Sequence, residues 1–276
     1  MRCLLSALLG FALLVALPAH AFIYYSEQNM PLNGQDKNGQ PVGMAVELLR
    51  LIWRELGEPV QPIHFMPWAR GWYLLTQQPE AVLFTTAHTK ERDPHFLWVC
   101  PISYSRVALL GRKKDAPKVS GKADLAKLQI GVMQADVGEQ LLLNRGVSPL
   151  NLMSVERMDQ VVRQLIMART DLVAGNEVML FHQLKELGFK PDDFVTVAVL
   201  EEQDNCFAFN PQADKNEVAR IQQALDKVRQ GDEFKRLIAR YEHLNPRTAP
   251  TASLPTSNSP AARHLAGSLF PVTPLC

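Results

Sequence analysis

The apolar residues of this chain alternate between two periods. Over 44–56, Val46, Leu49, Ile52, Trp53 and Leu56 keep helical spacing, and Gly57 follows where a helix C-terminus favours glycine. Residues 22–25 read as a short strand before it, and Asn33-Gly34 and Asn38-Gly39 mark turns. A second strand is expected over 60–65. Pro67-Trp68-Ala69-Arg70 then opens a helix, with the proline acceptable in a first turn. A third strand falls at 81–85. Strand and helix thus alternate, the pattern of a parallel sheet with covering helices.

The alternation restarts further on. Strands are expected at 107–111, 128–133, 171–174 and 194–200, with one more short strand at 206–209. A basic, polar loop occupies 112–122. Helical segments fall at 139–143, 158–168 and 178–187, and two amphipathic helices at 217–228 and 233–241 end the ordered part. No short solenoid-type repeat appears. Beyond Leu244 the residues turn to Pro, Thr, Ser and Ala, so 245–276 reads as a disordered tail; docking of Leu269-Phe270 on a partner is the competing reading.

The N-terminus changes the picture from fold to compartment. Arg2, an uncharged apolar stretch over 4–17 and Ala19-His20-Ala21 have the order of a secretory signal, so 1–21 is expected to be cleaved and the rest to work in the periplasm. The stretch is shorter than the roughly 20 residues a membrane span needs. Cys3 precedes the apolar stretch and does not fit a lipid-acceptor cysteine. The leader holds one of the 29 basic residues, so the remainder balances its 28 acidic ones. That neutrality argues against a nucleic-acid partner, and no basic amphipathic run suggests a membrane surface. Cys100, Cys206 and Cys276 form no C-x-x-C pair, which argues against a zinc or thioredoxin-like site. An exported chain permits a disulfide, but three thiols leave one over and the sequence selects no pair; burial of Cys100 and Cys206 as small apolar residues is an equal reading.

Several runs carry a resemblance. Glu27-Gln28-Asn29-Met30-Pro31, Asn38-Gly39-Gln40-Pro41-Val42-Gly43 and Glu47-Leu48-Leu49 resemble the opening of the bacterial extracellular solute-binding proteins of family 3. Pro67-Trp68-Ala69-Arg70, Thr89-Lys90-Glu91-Arg92 and Phe96-Leu97-Trp98-Val99-Cys100-Pro101-Ile102 fit a branch of it. Leu128-Gln129-Ile130-Gly131-Val132, Arg169-Thr170-Asp171 and Gln230-Gly231-Asp232-Glu233-Phe234 are similar to its later parts. The resemblance runs from about Tyr24 to Tyr241. It implies an α/β fold, a two-lobed periplasmic binding protein of type II. Each lobe is a sheet flanked by helices: lobe 1 is 22–106 plus 203–244, and lobe 2 is 107–202. Two crossing segments form the hinge. It further implies a monomer that takes a small-molecule ligand, amino-acid-like and carboxylate-bearing, and presents it to the membrane permease of an ABC transporter. No cofactor is implied.

The resemblance also assigns residues. Arg92 pairs with a ligand carboxylate, for which a guanidinium offers two parallel donors; a lobe-internal salt bridge to Glu91 or Asp93 is the alternative. Thr85 and Thr86 end a strand facing the crevice. Trp68 and Arg70 follow the second strand, and Tyr25 and Glu27 end the first. Each has a structural alternative in packing. The second lobe departs from the family. Ala135-Asp136 stands where amino-acid binders carry Gly-Thr, and Asn176 stands where they carry an aspartate for the ligand ammonium. Either Asp136 replaces that cation partner or the ligand is not a standard α-amino acid. A sensing module would use the same cleft. An exported dehydratase, an activity known on this fold, is the enzymatic alternative, but no nucleophile elbow, P-loop or metal-ligand histidine spacing appears.

Overall fold

The computed structural model describes residues 22–241. The expected leader, the expected tail with Leu269-Phe270, and Cys276 lie outside the described residues.

The chain opens with β1 (Ile23–Ser26), a two-stranded ribbon of β2 (Gly34–Gln35) and β3 (Pro41–Val42), and α1 (Met44–Glu55). β4 (Ile63–Phe65), α2 (Trp68–Gln77) and β5 (Ala81–Ala87) follow. Next come β6 (Leu97–Arg112), α3 (Lys122–Leu125), β7 (Ile130–Met133), α4 (Val137–Asn144), β8 (Leu152–Val155), α5 (Met158–Ile166), β9 (Leu172–Asn176) and α6 (Glu177–Glu186). The described part ends with β10 (Phe194–Phe209), α7 (Lys215–Gln230) and α8 (Asp232–Tyr241). The helical period of α1 puts Val46, Leu49, Ile52 and Trp53 on one buried face. Gly43 precedes this helix at φ 113°, and a Cβ there would stand 2.6 Å from the Leu32 carbonyl oxygen, so only glycine fits.

Eight strands join in one sheet, in the order β4-β1-β5-β10-β6-β9-β7-β8. β4, β1 and β5 are mutually parallel, as are β8, β7 and β9. The two parallel groups are linked by β6 and β10, which run antiparallel to each other from Phe194↔Arg112 to Phe209↔Leu97. The first group leans on the end of β10, through Asn205↔Ala87 to Phe209↔Val82, and the second on the end of β6, through Val107↔Asn176 to Gly111↔Leu172. Each long strand therefore crosses from one half of the sheet to the other.

The long strands depart from the sequence reading. It expected separate strands at 107–111, 194–200 and 206–209, whereas β6 and β10 are single elements of 16 residues each. Polar runs at 103–106 and 201–205 interrupt the apolar signal in both. Pairing with the partner strand supplies the backbone hydrogen bonds there, and three register shifts absorb the irregularity. Most remaining elements fall within a few residues of expectation, but β8, the short helix α3 and the β2–β3 ribbon stand where the sequence predicts no strand or helix.

The core is divided in the same way. One apolar cluster packs α1, α7 and α8 on the first half, around Trp53, Phe84, Phe207 and Phe209. Another packs α4 on the second, around Leu109, Val132, Leu141 and Ala174. A third contains residues of both halves, among them Trp68, Leu83, Met133 and Met179.

Candidate functional site

The parallel strands of each half end toward one cavity. Glu27 follows β1, Thr85 and Ala87 end β5, Asp136 and Val137 follow β7, and Asn176 ends β9; all six line it. Ser105 and Asn205 reach it from the crossing strands, and Trp68 from the first residue of α2. Polar groups from several strand ends thus converge where open α/β sheets place their ligands, beyond the carboxyl ends of the strands. The cavity is about 20 Å³, room for one or two waters. Its walls are drawn together by bonds between the halves. The Trp68 indole donates to the Ala135 carbonyl at 2.9 Å, and Arg92 Nε donates to Gln140 Oε1 of α4 at 2.9 Å.

Local sequence sets these positions. Ala135 adopts φ 59°, a left-handed conformation that turns the chain out of β7, and its N–H donates to Glu139 Oε2 at 2.7 Å. Asp136 then stands at the N-cap of α4 without a side-chain capping bond. Asn176 caps α6, its Oδ1 accepting from the Met179 amide at 3.2 Å and its Nδ2 donating to Ser105 Oγ at 2.9 Å. Beneath the cavity the Thr85 hydroxyl donates to Asn33 Oδ1 at 2.7 Å, and Asn33 Nδ2 donates to Ser26 Oγ and the Glu27 carbonyl.

The cavity concentrates charge. Burial pushes the Glu27 carboxyl well above the ordinary carboxylate range, and the neighbouring Asp136 adds to the shift. Burial also raises Asp136, while Arg92 and the amides of Val137 and Gly138 pull it down. Arg92 is 2% exposed and is lowered to about 10 by burial, with Asp136 acting against the shift. Its guanidinium lies 4.5 Å from the Trp72 ring centroid, within cation–π range. Its Nη2 has no hydrogen-bond partner among the described residues, and neither has Asn29 Oδ1. A cation between the two carboxyls, and an acceptor for the guanidinium, would complete the electrostatics of the site.

Of the residues singled out from sequence, the structure brings Glu27, Trp68, Thr85, Asp136 and Asn176 together around the cavity. Arg92 is not among the lining residues; it reaches the cavity's edge through Nη1, 3.4 Å from the carbonyl of Ala87. Among the described residues it forms no ion pair with Glu91 or Asp93, and Gln140 and two tryptophans hold it instead. Thr86 is fully buried and donates to the Leu83 carbonyl at 3.0 Å. Tyr25 donates to Gln78 Oε1 at 2.7 Å, and Arg70 is exposed. Sequence reasoning missed Asn29, Ser105 and Asn205. The polar breaks in the two long strands were the signal for the last two. Leu32, Val137 and Met179 also line the cavity and carry no chemical signal.

The sequence profile described as bacterial extracellular solute-binding proteins, family 3, matches residues 23–243. Among solved structures, a histidine kinase sensor domain with similarity to periplasmic binding proteins aligns at TM-score 0.71 and 22% identity, covering 80% of this chain and 96% of that one. Holo ArgBP from T. maritima aligns at TM-score 0.64 and 18% identity, covering 81% and 96%. ArtJ of Geobacillus stearothermophilus, an arginine-, lysine-, histidine-binding protein, aligns at 0.66 and 16%, covering 82% and 97%. At these identities the likeness establishes the fold. No curated protein sequence matches the chain.

Proposed function

The chain belongs to the bacterial extracellular solute-binding proteins of family 3, and from that membership we propose that it is a periplasmic receptor for a small, amino-acid-like ligand, delivered to an ABC importer. The convergence of Glu27, Thr85, Asp136, Asn176, Ser105 and Asn205 on one cavity between the halves of the sheet carries this reading. In it, 22–106 with 203–244 forms one lobe and 107–202 the other. The crossing strands β6 and β10 are the hinge. A drug- or metabolite-sized pocket spans roughly 300 Å³ or more, so ligand enters with the lobes apart and closure follows.

Each charged group then has a role. Arg92 turns from Gln140 to the ligand carboxylate, for which its unpaired Nη2 is available. Asp136, seconded by Glu27, takes the ligand ammonium that an aspartate at the Asn176 position takes elsewhere in the family. Asn176 and Thr85 contribute neutral hydrogen bonds, and Trp68 closes over the ligand. Thr86 and Tyr25 brace the floor, and Arg70 stays in solvent.

A panel of amino acids and related amines, screened by thermal shift, tests the proposal. A ligand at 100 times its Kd stabilises the folded chain by about 2.7 kcal/mol. Arg92→Ala should remove the shift of any carboxylate ligand, and Asp136→Ala that of any ammonium ligand. A full shift in both variants sinks the assignment. A sensing role rests on the same cleft and is favoured by the similarity to a histidine kinase sensor domain. Permease and ATPase genes beside this one would favour import.

A further inference from the structure

Cys100 of β6 and Cys206 of β10 form a disulfide between paired strands. His88 lies beside them. Its Nδ1 is 3.8 Å from Cys100 Sγ, and an imidazole nitrogen and both sulfurs lie within 4.8 Å of one another. Its Nε2 is 2.5 Å from Asp93 Oδ1. The imidazole also stacks on Trp98, ring centroids 4.4 Å apart. The Cys100 backbone is held at both ends by Gln222 of α7, its N–H donating to Oε1 and its carbonyl accepting from Nε2, each at 2.8 Å.

The orientation of His88 is that of a metal-binding histidine. A carboxylate at Nε2 fixes the proton there and leaves the Nδ1 lone pair toward the sulfurs, the outer-shell arrangement that accompanies most ligating imidazoles. Distances agree with this. With zinc bonds of about 2.3 Å to sulfur and 2.0–2.1 Å to nitrogen, tetrahedral geometry puts sulfur and nitrogen about 3.6 Å apart. The observed separation is 3.8 Å. For the full set the two sulfurs must part, from bonding distance to about 3.8 Å, and Cys206 Sγ must settle about 3.6 Å from the imidazole nitrogen. Cys206 is fully buried, while His88 and Cys100 are partly exposed and give an ion its way in. No local motif announces the site, because its ligands come from three segments and Cys206 stands 106 residues from Cys100.

We propose that the dithiol form of this chain binds one zinc-class ion through Cys100, Cys206 and His88 Nδ1, with Asp93 as the positioning residue for the imidazole. A dithiol or phosphine reductant supplies the two electrons that cleave the S–S bond and is itself oxidised, and two protons from solvent complete the thiols. Metal entry returns those two protons to solvent as the thiolates coordinate. Disulfide and metal are therefore mutually exclusive states of one site. This proposal is independent of the ligand cavity.

The test uses the full chain with Cys3→Ser and Cys276→Ser, reduced by a phosphine without air and titrated with cobalt(II), a spectroscopic stand-in for zinc. One cobalt per chain is expected, with thiolate-to-cobalt charge-transfer absorption that zinc abolishes. Cys100→Ala should remove that absorption, His88→Ala should weaken binding at least about tenfold, and Asp93→Asn about 10–100-fold. Bound zinc should also slow re-formation of the disulfide in air. Equal affinity in the oxidised chain, undiminished binding in His88→Ala, or absence of the thiolate band overturns the proposal. So does a reduced chain that loses its far-ultraviolet dichroism and does not regain it with zinc.

Discussion

The Cys100–Cys206 bond gives the most demanding prediction. It closes a chain segment of 106 residues. In the chain-entropy treatment, cross-linking a loop of that length lowers the entropy of the unfolded ensemble by about 16 cal/mol/K, or about 4.8 kcal/mol at 25 °C. Replacing the pair by alanine should therefore lower unfolding stability by about 4–6 kcal/mol, with a small part from the two buried sulfurs. For a chain of this size each kcal/mol moves Tm by about 2–4 °C, so a fall of about 10–20 °C is expected. Urea and thermal unfolding of oxidised wild type, Cys100→Ala, Cys206→Ala and the double variant measure it. A bond fails when either end is removed, so each single variant should lose nearly as much as the double. Two independent buried residues would instead add. Single losses below about 1.5 kcal/mol that sum to the double would refute the reasoning. Typical domains hold about 5–15 kcal/mol, so this loss is a large fraction of the total, and metal binding to the reduced chain should raise its stability measurably.

The buried pair Arg106–Glu177 makes two bonds of 2.7 Å, with both side chains nearly inaccessible. Glu177→Leu leaves a buried guanidinium without this partner and should cost about 3–5 kcal/mol, whereas Arg106→Met/Glu177→Leu should recover most of it; denaturant melts decide. The Glu27 carboxyl is raised by burial above its ordinary value of 4.5, so the folded chain holds that proton more strongly than the unfolded chain. Its contribution is full below about 4.5 and is lost as pH rises toward the raised value, by at most about 1.4 kcal/mol per pH unit. Without ligand, Glu27→Gln should therefore match wild type near pH 4 and exceed it increasingly at higher pH; parallel pH–stability curves would contradict this. By the same proton competition, binding of an ammonium ligand should strengthen with pH in wild type and depend less on pH in Glu27→Gln, where only Asp136 is left to compete for a proton.

Some of this molecule was legible one residue after another. The spacing of Val46, Leu49, Ile52 and Trp53 predicts α1, and the amphipathic stretch at 158–168 predicts α5, because a helix face is set by side chains three and four apart. Glu27 and Thr85 were identifiable because each ends or follows a strand, and strand ends have a fixed relation to a ligand crevice, while Asp136 stood out through the family resemblance, where it replaces the usual Gly-Thr. The linking strands were not legible. Ser103, Ser105, Glu201 and Gln203 read as interruptions, yet they continue β6 and β10 because each finds its backbone partners on a strand about a hundred residues away. The same ladder brings Cys206 to Cys100 and both to His88, a grouping that composition left open. It also sets Asn176 against Ser105 and Gln140 against Arg92. Local spacing was enough for the periodic elements, the family likeness and the charged residues at strand ends. The continuous crossing strands, the disulfide with its histidine, and the grouping of polar residues around one cavity depend on contacts between distant segments. The reason is physical: periodicity lies within a turn of chain, whereas long-range pairing is settled by the energy of the whole sheet against the entropy of closing large loops.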